Sequence, residues 1–397
     1  MFKDKTVVLG VTGSIAAYKM ANVASALVKK GCDVHVIMTE NATNFINPIT
    51  FEELTHNKCL VDTFDRNFNY DVAHVSLAAK ADVFLVAPAS ANVIGKIANG
   101  IADDMLTTTV MAAKCPKLIS PAMNTNMFEN PIVQDNIQKL ARFGYTIIEP
   151  DSGALACGTV GKGRLPKESV LLNYLEKVLA DKQDFSGKRV LITAGPTQEA
   201  IDPVRYITNH SSGKMGYAMA KAAMLRGAEV TLISGPVNLE PVPFVRTVNV
   251  VSARDMFEAV TENSDSCDII IKSAAVADFR PASVADQKLK KGKAQTSAIE
   301  LEKTDDILKH LGEHKGKNQI ICGFSMETEN MLENSRKKLE SKNLDMIVCN
   351  NLKEEGAGFQ TDTNKVTIID KNGATPLELM SKAEVADKIL DKITELM

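Results

Sequence analysis

Apolar residues fall in short unbroken runs, separated by longer stretches in which they recur every three or four positions. In the first half the runs lie at 6–11, 33–38, 83–87, 117–120 and 145–148, and the helical spacing at 15–30, 47–56, 102–113, 131–142 and 167–179. Runs such as VFLVA, flanked by helical patterns, are expected of strands buried on both faces of a parallel sheet. The second half repeats the alternation, with runs at 189–194, 229–233, 268–272, 319–323 and 345–349. VTIID-KNG-ATPLEL then reads as two short strands around an Asn-Gly turn, and 381–396 as a closing helix. The expected fold class is α/β, with two Rossmann-like domains at 1–182 and 183–397 and the polar stretch 180–187 as the linker.

The chain opens the same way twice. KTVVLGVTGSI at 5–15 and KRVLITAGPT at 188–197 each run from an apolar strand into a small-residue turn, followed by an Ala-rich helix and a second strand. That is the opening of a nucleotide-binding α/β unit, so two separate sites are expected. Ligands of such sheets sit beyond the carboxyl ends of the strands. The second opening differs in its long intervening segment, GPTQEAIDPVRYITNHSSG at 195–213. A loop of that length inside a compact unit is usually functional.

Composition narrows the field. A length of 397 residues suits two or three domains. A net charge of −3 argues against a general nucleic-acid binder, with Lys288-Leu-Lys-Lys-Gly-Lys293 as a local exception. No apolar run approaches the ~20 residues that span a bilayer, and the first residues lack a secretory pattern. Seven cysteines without framework spacing suit a reducing compartment, so a cytoplasmic protein is expected. With no CxxC or HExxH, a tight zinc site is not.

Polar residues gather at the strand ends of the first half. Gly13 and Ser14 follow the first strand, where backbone N–H groups at a helix start favour an anion. Ser90 and Asn92 follow VFLVAPA, Asn124 follows KLISPAM, His74 stands just before a helix, and Cys157 lies in the Gly-rich segment ACGTVGKGR. Each also has a structural reading: a hydrogen-bonded histidine, a turn-capping asparagine, a small buried thiol.

Together these segments resemble the flavin-containing cysteine decarboxylases, through G-S-I-A, H-V-S-L, P-A-S-A-N, P-A-M-N-T-N-M and A-C-G-T-V-G-K-G-R. With its second half, the chain resembles the bacterial bifunctional coenzyme A biosynthesis proteins, a phosphopantothenoylcysteine decarboxylase fused to a phosphopantothenate–cysteine ligase. The resemblance implies a flavodoxin-like first domain that binds FMN through Gly13, Ser14, Thr39, Ser90 and Asn92. It assigns His74 to the oxidative step, Asn124 to the substrate carboxylate and Cys157 to protonation of the enethiolate left after CO₂ departs. Arg164 is a candidate phosphate or carboxylate partner. Departures are Val75 and Thr159, where isoleucine and an acidic residue are commoner.

In the second half, SSGKMG at 211–216 ends the long loop without the Walker pattern, Asp278 follows strand CDIIIK, and Lys338 and Lys342 are four apart on one helix face. These segments resemble the ligase half of the same family. The resemblance implies CTP as co-substrate with Mg²⁺, and activation of the 4′-phosphopantothenate carboxylate as an acyl-cytidylate that cysteine then attacks. It places Asn209 on the acyl-cytidylate, Lys288 on developing charge, and Asp278, Lys288, Asp305, Asp306, Ile307, Phe324, Lys338 and Lys342 on the nucleotide. Asp278 is the candidate Mg²⁺ ligand and Arg205 a candidate for the substrate phosphate. The resemblance further implies a trimeric decarboxylase and a dimeric ligase, hence a dodecamer. Residues alone leave CTP against ATP open. A nicotinamide-dependent oxidoreductase is the rival, disfavoured because neither opening carries GxGxxG. A non-catalytic regulatory subunit is disfavoured by Cys157 and the complete second half.

Overall fold

The computed structural model describes residues 2–64, 73–154, 158, 160–289, 298–327, 331–351, 358 and 360–397. Cys157, Thr159, Lys290, Lys291 and Lys293 lie outside them. The chain divides into two compact units, Met1–Asp181 and Lys182–Met397.

The first unit contains β1 (Thr6–Val11), α1 (Lys19–Lys29), β2 (Asp33–Met38), α2 (Pro48–Thr55), α3 (Ala73–Lys80), β3 (Val83–Ala89), α4 (Ala91–Ala98), α5 (Met105–Ala112), β4 (Lys117–Pro121), α6 (Thr125–Phe128), α7 (Pro131–Arg142), β5 (Thr146–Ile147), β6 (Asp151–Ala154), β7 (Val160–Arg164) and α8 (Glu168–Val178). Strands β1–β5 form one parallel sheet in the order β2-β1-β3-β4-β5, the flavodoxin-like order. Successive residues of β1 serve opposite faces. Val7, Leu9 and Val11 join a core with Met20, Val23 and Leu27 of α1. Val8 joins another with Val93, Ile94 and Leu106. The helix expected at 15–30 is broken at its start: Ser14 caps a 3₁₀ turn, Ile15–Tyr18, before α1 begins. The helix expected at 102–113 begins at Met105, because Asp104 forms a capping box with Thr107. The hairpin β6–β7 was not expected; its glycines carry no apolar period to read.

The second unit contains β8 (Arg189–Ala194), β9 (Gln198–Ala200), β10 (Tyr206–Thr208), α9 (Lys214–Leu225), β11 (Glu229–Ser234), β12 (Arg246–Asn249), α10 (Ala253–Ser264), β13 (Ile269–Lys272), β14 (Phe279–Pro281), β15 (Leu301–Lys303), α11 (Ile307–Glu313), β16 (Ile320–Glu327), α12 (Met331–Ser341), β17 (Met346–Asn351), β18 (Thr363–Asn364), β19 (Val366–Asp370), β20 (Gly373–Pro376), β21 (Met380–Ser381) and α13 (Lys382–Thr394). Its main sheet runs β12-β11-β8-β13-β16-β17-β19-β20. The strands are parallel from β12 to β17, and the last two are antiparallel additions. Leu191, Ile270, Ile321 and Ile347 pack with residues of α10, α11 and α12 in one core. Helix α9 packs on β8 and β11 and against α13.

Two expectations are refined here. The long segment 195–213 holds the antiparallel pair β9–β10. The terminal hairpin turns at Lys371–Asn372, with Gly373 paired opposite Asp370. The Asp370 carboxylate sets this turn by accepting from the N–H groups of Asn372 at 2.8 Å and Gly373 at 3.0 Å.

Candidate functional sites

In a doubly wound sheet the ligand crevice lies where the strand order reverses. In the first unit that point is between β1 and β3. Thr12, buried just past β1, joins the two strand ends: its Oγ1 donates to the Pro88 carbonyl at 2.6 Å and accepts from Ser90 N–H at 2.9 Å. Sequence reasoning missed Thr12, whose role depends on β3 lying beside β1. Ser14 and Ser90 each cap the helical segment that follows, and Asn92 is exposed in the first turn of α4. Thr39 directly follows β2; its Oγ1 is buried and has no hydrogen-bond partner among the described residues. A Cβ on Gly13 would stand 2.9 Å from Asn41 Cβ, so the Gly13 turn lies against the turn that Thr39 starts. A buried hydroxyl without a partner costs about 1–3 kcal/mol. A phosphate at these converging turns would supply the missing partner, so the residues fit the phosphate end of FMN.

Asn124 caps α6, its Oδ1 accepting from Asn126 N–H at 2.9 Å. This bond is the structural reading of Asn124, and it also fixes how the amide is presented. The hairpin β6–β7, which flanks Cys157, is held against this turn. Met123 N–H donates to the Gly163 carbonyl at 2.9 Å, and a Cβ on Gly161 would stand 2.6 Å from Thr125 Oγ1. Gly163 has φ +137°, and a Cβ there would be 2.3 Å from the Met123 carbonyl oxygen. Gly163→Ala is therefore expected to cost about 1–3 kcal/mol and to lift the hairpin from the Asn124 turn. Thermal melts and assays of both activities would check this: decarboxylation falls while ligation is unchanged. His74 is half-buried in the first turn of α3 rather than ahead of a helix. No hydrogen bond among the described residues ties it to Ser90 or Asn124. Arg164 is exposed at the end of β7, paired in register with Asp151.

In the second unit the strand order reverses between β8 and β13. A cavity of about 680 Å³ opens there, within the size range of small-molecule sites. Of the residues expected at the nucleotide and acyl-cytidylate, Asn209, Asp278, Asp305, Asp306, Ile307, Phe324, Lys338 and Lys342 line it. Lys288 does not; it is exposed. Its neighbour Leu289 donates its N–H to Asp202 Oδ2 at 3.1 Å and accepts from Arg205 at 2.6 Å. Arg205, expected on the substrate phosphate, also binds Asp202 through Nε at 3.0 Å and Nη2 at 2.6 Å. It acts as a clamp on the start of the lysine-rich segment.

Local bonds explain the convergence. Thr304 donates its N–H to the Asp278 carbonyl at 3.0 Å and its hydroxyl to the Ala277 carbonyl at 2.6 Å. This stitches the segment bearing Asp305 and Asp306 to the residues just ahead of β14. Lys342 Nζ is 2.8 Å from Asp306 Oδ2. Burial alone would raise the Asp306 carboxyl, but Lys342 and the Lys309 N–H hold it below its ordinary value. Asn209 Nδ2 donates to the Ala275 carbonyl at 2.9 Å. A Cβ on Gly216 would stand 2.5 Å from Ala194 Cβ, so glycine lets α9 start hard against β8.

Lys214 of SSGKMG lines the cavity as well, and so do Lys272 and Lys382, which escaped sequence reasoning. Lys382 comes from the far end of the chain, carried in by the packing of α13 on α9, and no local motif announces it. Burial, with Lys214 nearby, pushes it down to about 8. Among the described residues no group of three or more His, Cys, Asp or Glu is placed to hold a metal ion. These side chains do not build a Mg²⁺ site by themselves. No helix among the described residues is long and apolar enough to cross a membrane.

The fold and its two crevices define a two-unit α/β protein, one unit of flavodoxin-like order and one a larger doubly wound sheet. Residues 1–180 match the flavoprotein family model, and residues 185–397 match the model described as the DNA/pantothenate metabolism flavoprotein C-terminal domain. The chain is 50% identical over 400 residues to the coenzyme A biosynthesis bifunctional protein CoaBC of Bacillus subtilis (strain 168), a match covering 100% of this chain and 98% of that protein. It is 43% identical over 394 residues to the CoaBC of Vibrio parahaemolyticus serotype O3:K6 (strain RIMD 2210633), covering 99% of this chain and 98% of that one. It is also 47% identical over 358 residues to a cysteine/cysteine sulfinic acid decarboxylase from an unknown prokaryotic organism, covering 89% and 99%. The chain belongs to the family of bifunctional CoaBC proteins of coenzyme A biosynthesis.

Proposed function

We propose that the protein carries out two consecutive steps of coenzyme A biosynthesis. Its ligase domain, 183–397, joins 4′-phosphopantothenate to cysteine through an acyl-cytidylate made from CTP. Its decarboxylase domain, 1–182, converts the product to 4′-phosphopantetheine with FMN. The observation that carries this reading is the cavity of the second unit, where eight residues expected from the ligase resemblance meet, in a chain similar to CoaBC proteins over its whole length.

In the ligase, the lysines of the cavity neutralise the triphosphate, and Mg²⁺ arrives with the nucleotide rather than in a site built from carboxylates. Asn209, oriented by the Ala275 carbonyl, presents its amide to the acyl-nucleotide. In the decarboxylase, Gly13, Ser14, Thr39, Ser90 and Asn92 hold the flavin, which supplies hydride acceptance and return. His74 serves the oxidative step. Asn124 binds the departing carboxylate, its orientation set by the cap bond to Asn126. Cys157 donates the proton that completes the product.

The cytoplasm is the proposed compartment, supported by six free cysteines among the described residues. The proposed assembly is a dodecamer. Ile15, Tyr18 and Val75, 59%, 57% and 53% exposed on the decarboxylase unit, are apolar side chains that an assembly would cover.

The test is mass spectrometry of one reaction containing protein, 4′-phosphopantothenate, cysteine, CTP and Mg²⁺. A product at the mass of 4′-phosphopantetheine, with CMP and CO₂, is expected. Untouched CTP, with ATP no better, would overturn the ligase reading. CO₂ released from free cysteine without any nucleotide would favour direct amino-acid decarboxylation, the activity in the name of the third relative above.

A further inference from the structure

Lys272 ends β13, the strand at which the sheet's connections reverse direction. From β8 the chain passes through α9 to β11 on one side, and from β13 through α11 to β16 on the other. The cavity crosses the sheet edge at this point. One end is formed by Asp306, Lys338 and Lys342, at the edges of α11 and α12; the other by Lys214 and Lys382, at the starts of α9 and α13. The first pair of helices packs into the core containing Ile270, and α9 and α13 pack together away from it. Lys272 shares a strand face with Ile270, two residues earlier, and so stands at the first end, where Asp306, Asp278, Lys342 and Lys338 act on its charge.

Three other lysines of the cavity already have protein acceptors. Lys342 binds Asp306 at 2.8 Å, Lys214 binds Asp362 and the Gln360 carbonyl at 2.7 Å each, and Lys382 binds the carbonyls of Gly358 and Thr361. Lys272 lines the cavity, half-buried as a residue but with its ammonium end buried, and that ammonium makes no hydrogen bond or ion pair with the described residues. A buried charge without a partner is costly and is retained where function needs it. We propose that Lys272 is a catalytic residue of the ligation, its ammonium binding the nucleotide phosphoryl oxygens on which charge grows as the substrate carboxylate attacks. This rests on the ligase reading above. In that step a carboxylate oxygen bonds to the α-phosphorus and the bond from phosphorus to the pyrophosphate oxygen breaks. Pyrophosphate leaves with the electron pair; no proton moves, and Lys272 stays charged. Burial lowers the Lys272 ammonium to about 8, against Asp306 and Asp278 and together with Lys342 and Lys338. An arriving phosphate would supply the missing counter-charge.

The test uses full-length Lys272→Met and Lys272→Arg and reads the activation half-reaction, pyrophosphate released from CTP and 4′-phosphopantothenate without cysteine. Single-turnover rates for Lys272→Met are expected to fall about 10²-fold, the scale of losing one preorganised charge-stabilising donor. Lys272→Arg should recover a measurable part. The Met variant should melt no lower than the parent, because it removes an unpaired charge, and should decarboxylate supplied 4′-phosphopantothenoyl-cysteine at the parental rate. Activation within twofold of the parent would overturn the proposal. So would a rise in KM for CTP at unchanged kcat, or a lower melting temperature that accounts for the loss. A parent protein that consumes no nucleotide at all would instead refute the ligase reading itself.

Discussion

Cys157→Ser is expected to slow formation of 4′-phosphopantetheine by about 10²- to 10⁴-fold, the range for removing a general acid, while CMP release continues at the parental rate. A serine hydroxyl keeps the size and can donate a hydrogen bond, but it is a far weaker acid than a thiol, which titrates near ~8.5. If Cys157 acts after CO₂ departs, the variant should still evolve CO₂ and accumulate a species two hydrogens lighter than the product. Mass spectrometry distinguishes this from a block at the first step, where 4′-phosphopantothenoyl-cysteine itself would accumulate. The docking of β7 on the Asn124 turn supports the assignment, since it brings the chain flanking Cys157 to the proposed carboxylate-binding residue. Full turnover by the serine variant would remove Cys157 from the chemistry.

The second large effect is on stability. Arg226 is 3% exposed and joins three parts of the ligase unit. It donates to both carboxylate oxygens of Asp184, to Asp391 at 2.9 Å, to the Asp387 carbonyl at 3.1 Å and to Thr394 at 3.2 Å. Its guanidinium lies 4.9 Å from the centre of the Phe185 ring. Breaking a buried pair typically costs 3–5 kcal/mol. Asp184 and Asp391 are about one-third exposed, so water can partly hydrate them once the guanidinium is gone. The expected loss for Arg226→Ala is therefore about 3 kcal/mol, the low end of that range. Urea unfolding followed by loss of ligase activity would check it. The acid side carries a second signature. The Arg226 hydrogen bond holds the Asp184 carboxyl below its ordinary value, so its contribution is complete above the unfolded carboxyl value and is lost as pH falls through the depressed one. Arg226→Ala should flatten that acid limb.

How much of this was legible beforehand depends on the range of the interaction. VVLGV and VFLVA announce strands covered on both faces because each residue is apolar, and β1 and β3 are buried at each position. The sites at strand ends were legible because small and polar residues interrupt those runs in specific strings, such as P-A-S-A-N and S-S-G-K-M-G. Roles that depend on which strands become neighbours were not. Thr12 matters only because β3 lies beside β1, Lys272 only because β13 lies at the reversal, and Lys382 only because α13 returns to α9. The hairpin β6–β7 escaped because DSGA and VGKGR lack alternating apolar residues; its stability comes from backbone bonds and close approach to Met123 and Thr125.

The ligase cavity, open across the sheet edge, has a consequence for the fate of the activated acid. On the proposed ligase reading, an acyl-nucleotide reaching both ends would have to release both sets of contacts together to escape. Each end then acts on the other as a tether, at an effective concentration set by the short covalent link. A labile mixed anhydride tethered in this way would stay bound until the amine arrives. A stable mimic of the joined molecule should accordingly dwell in the cavity far longer than either half alone.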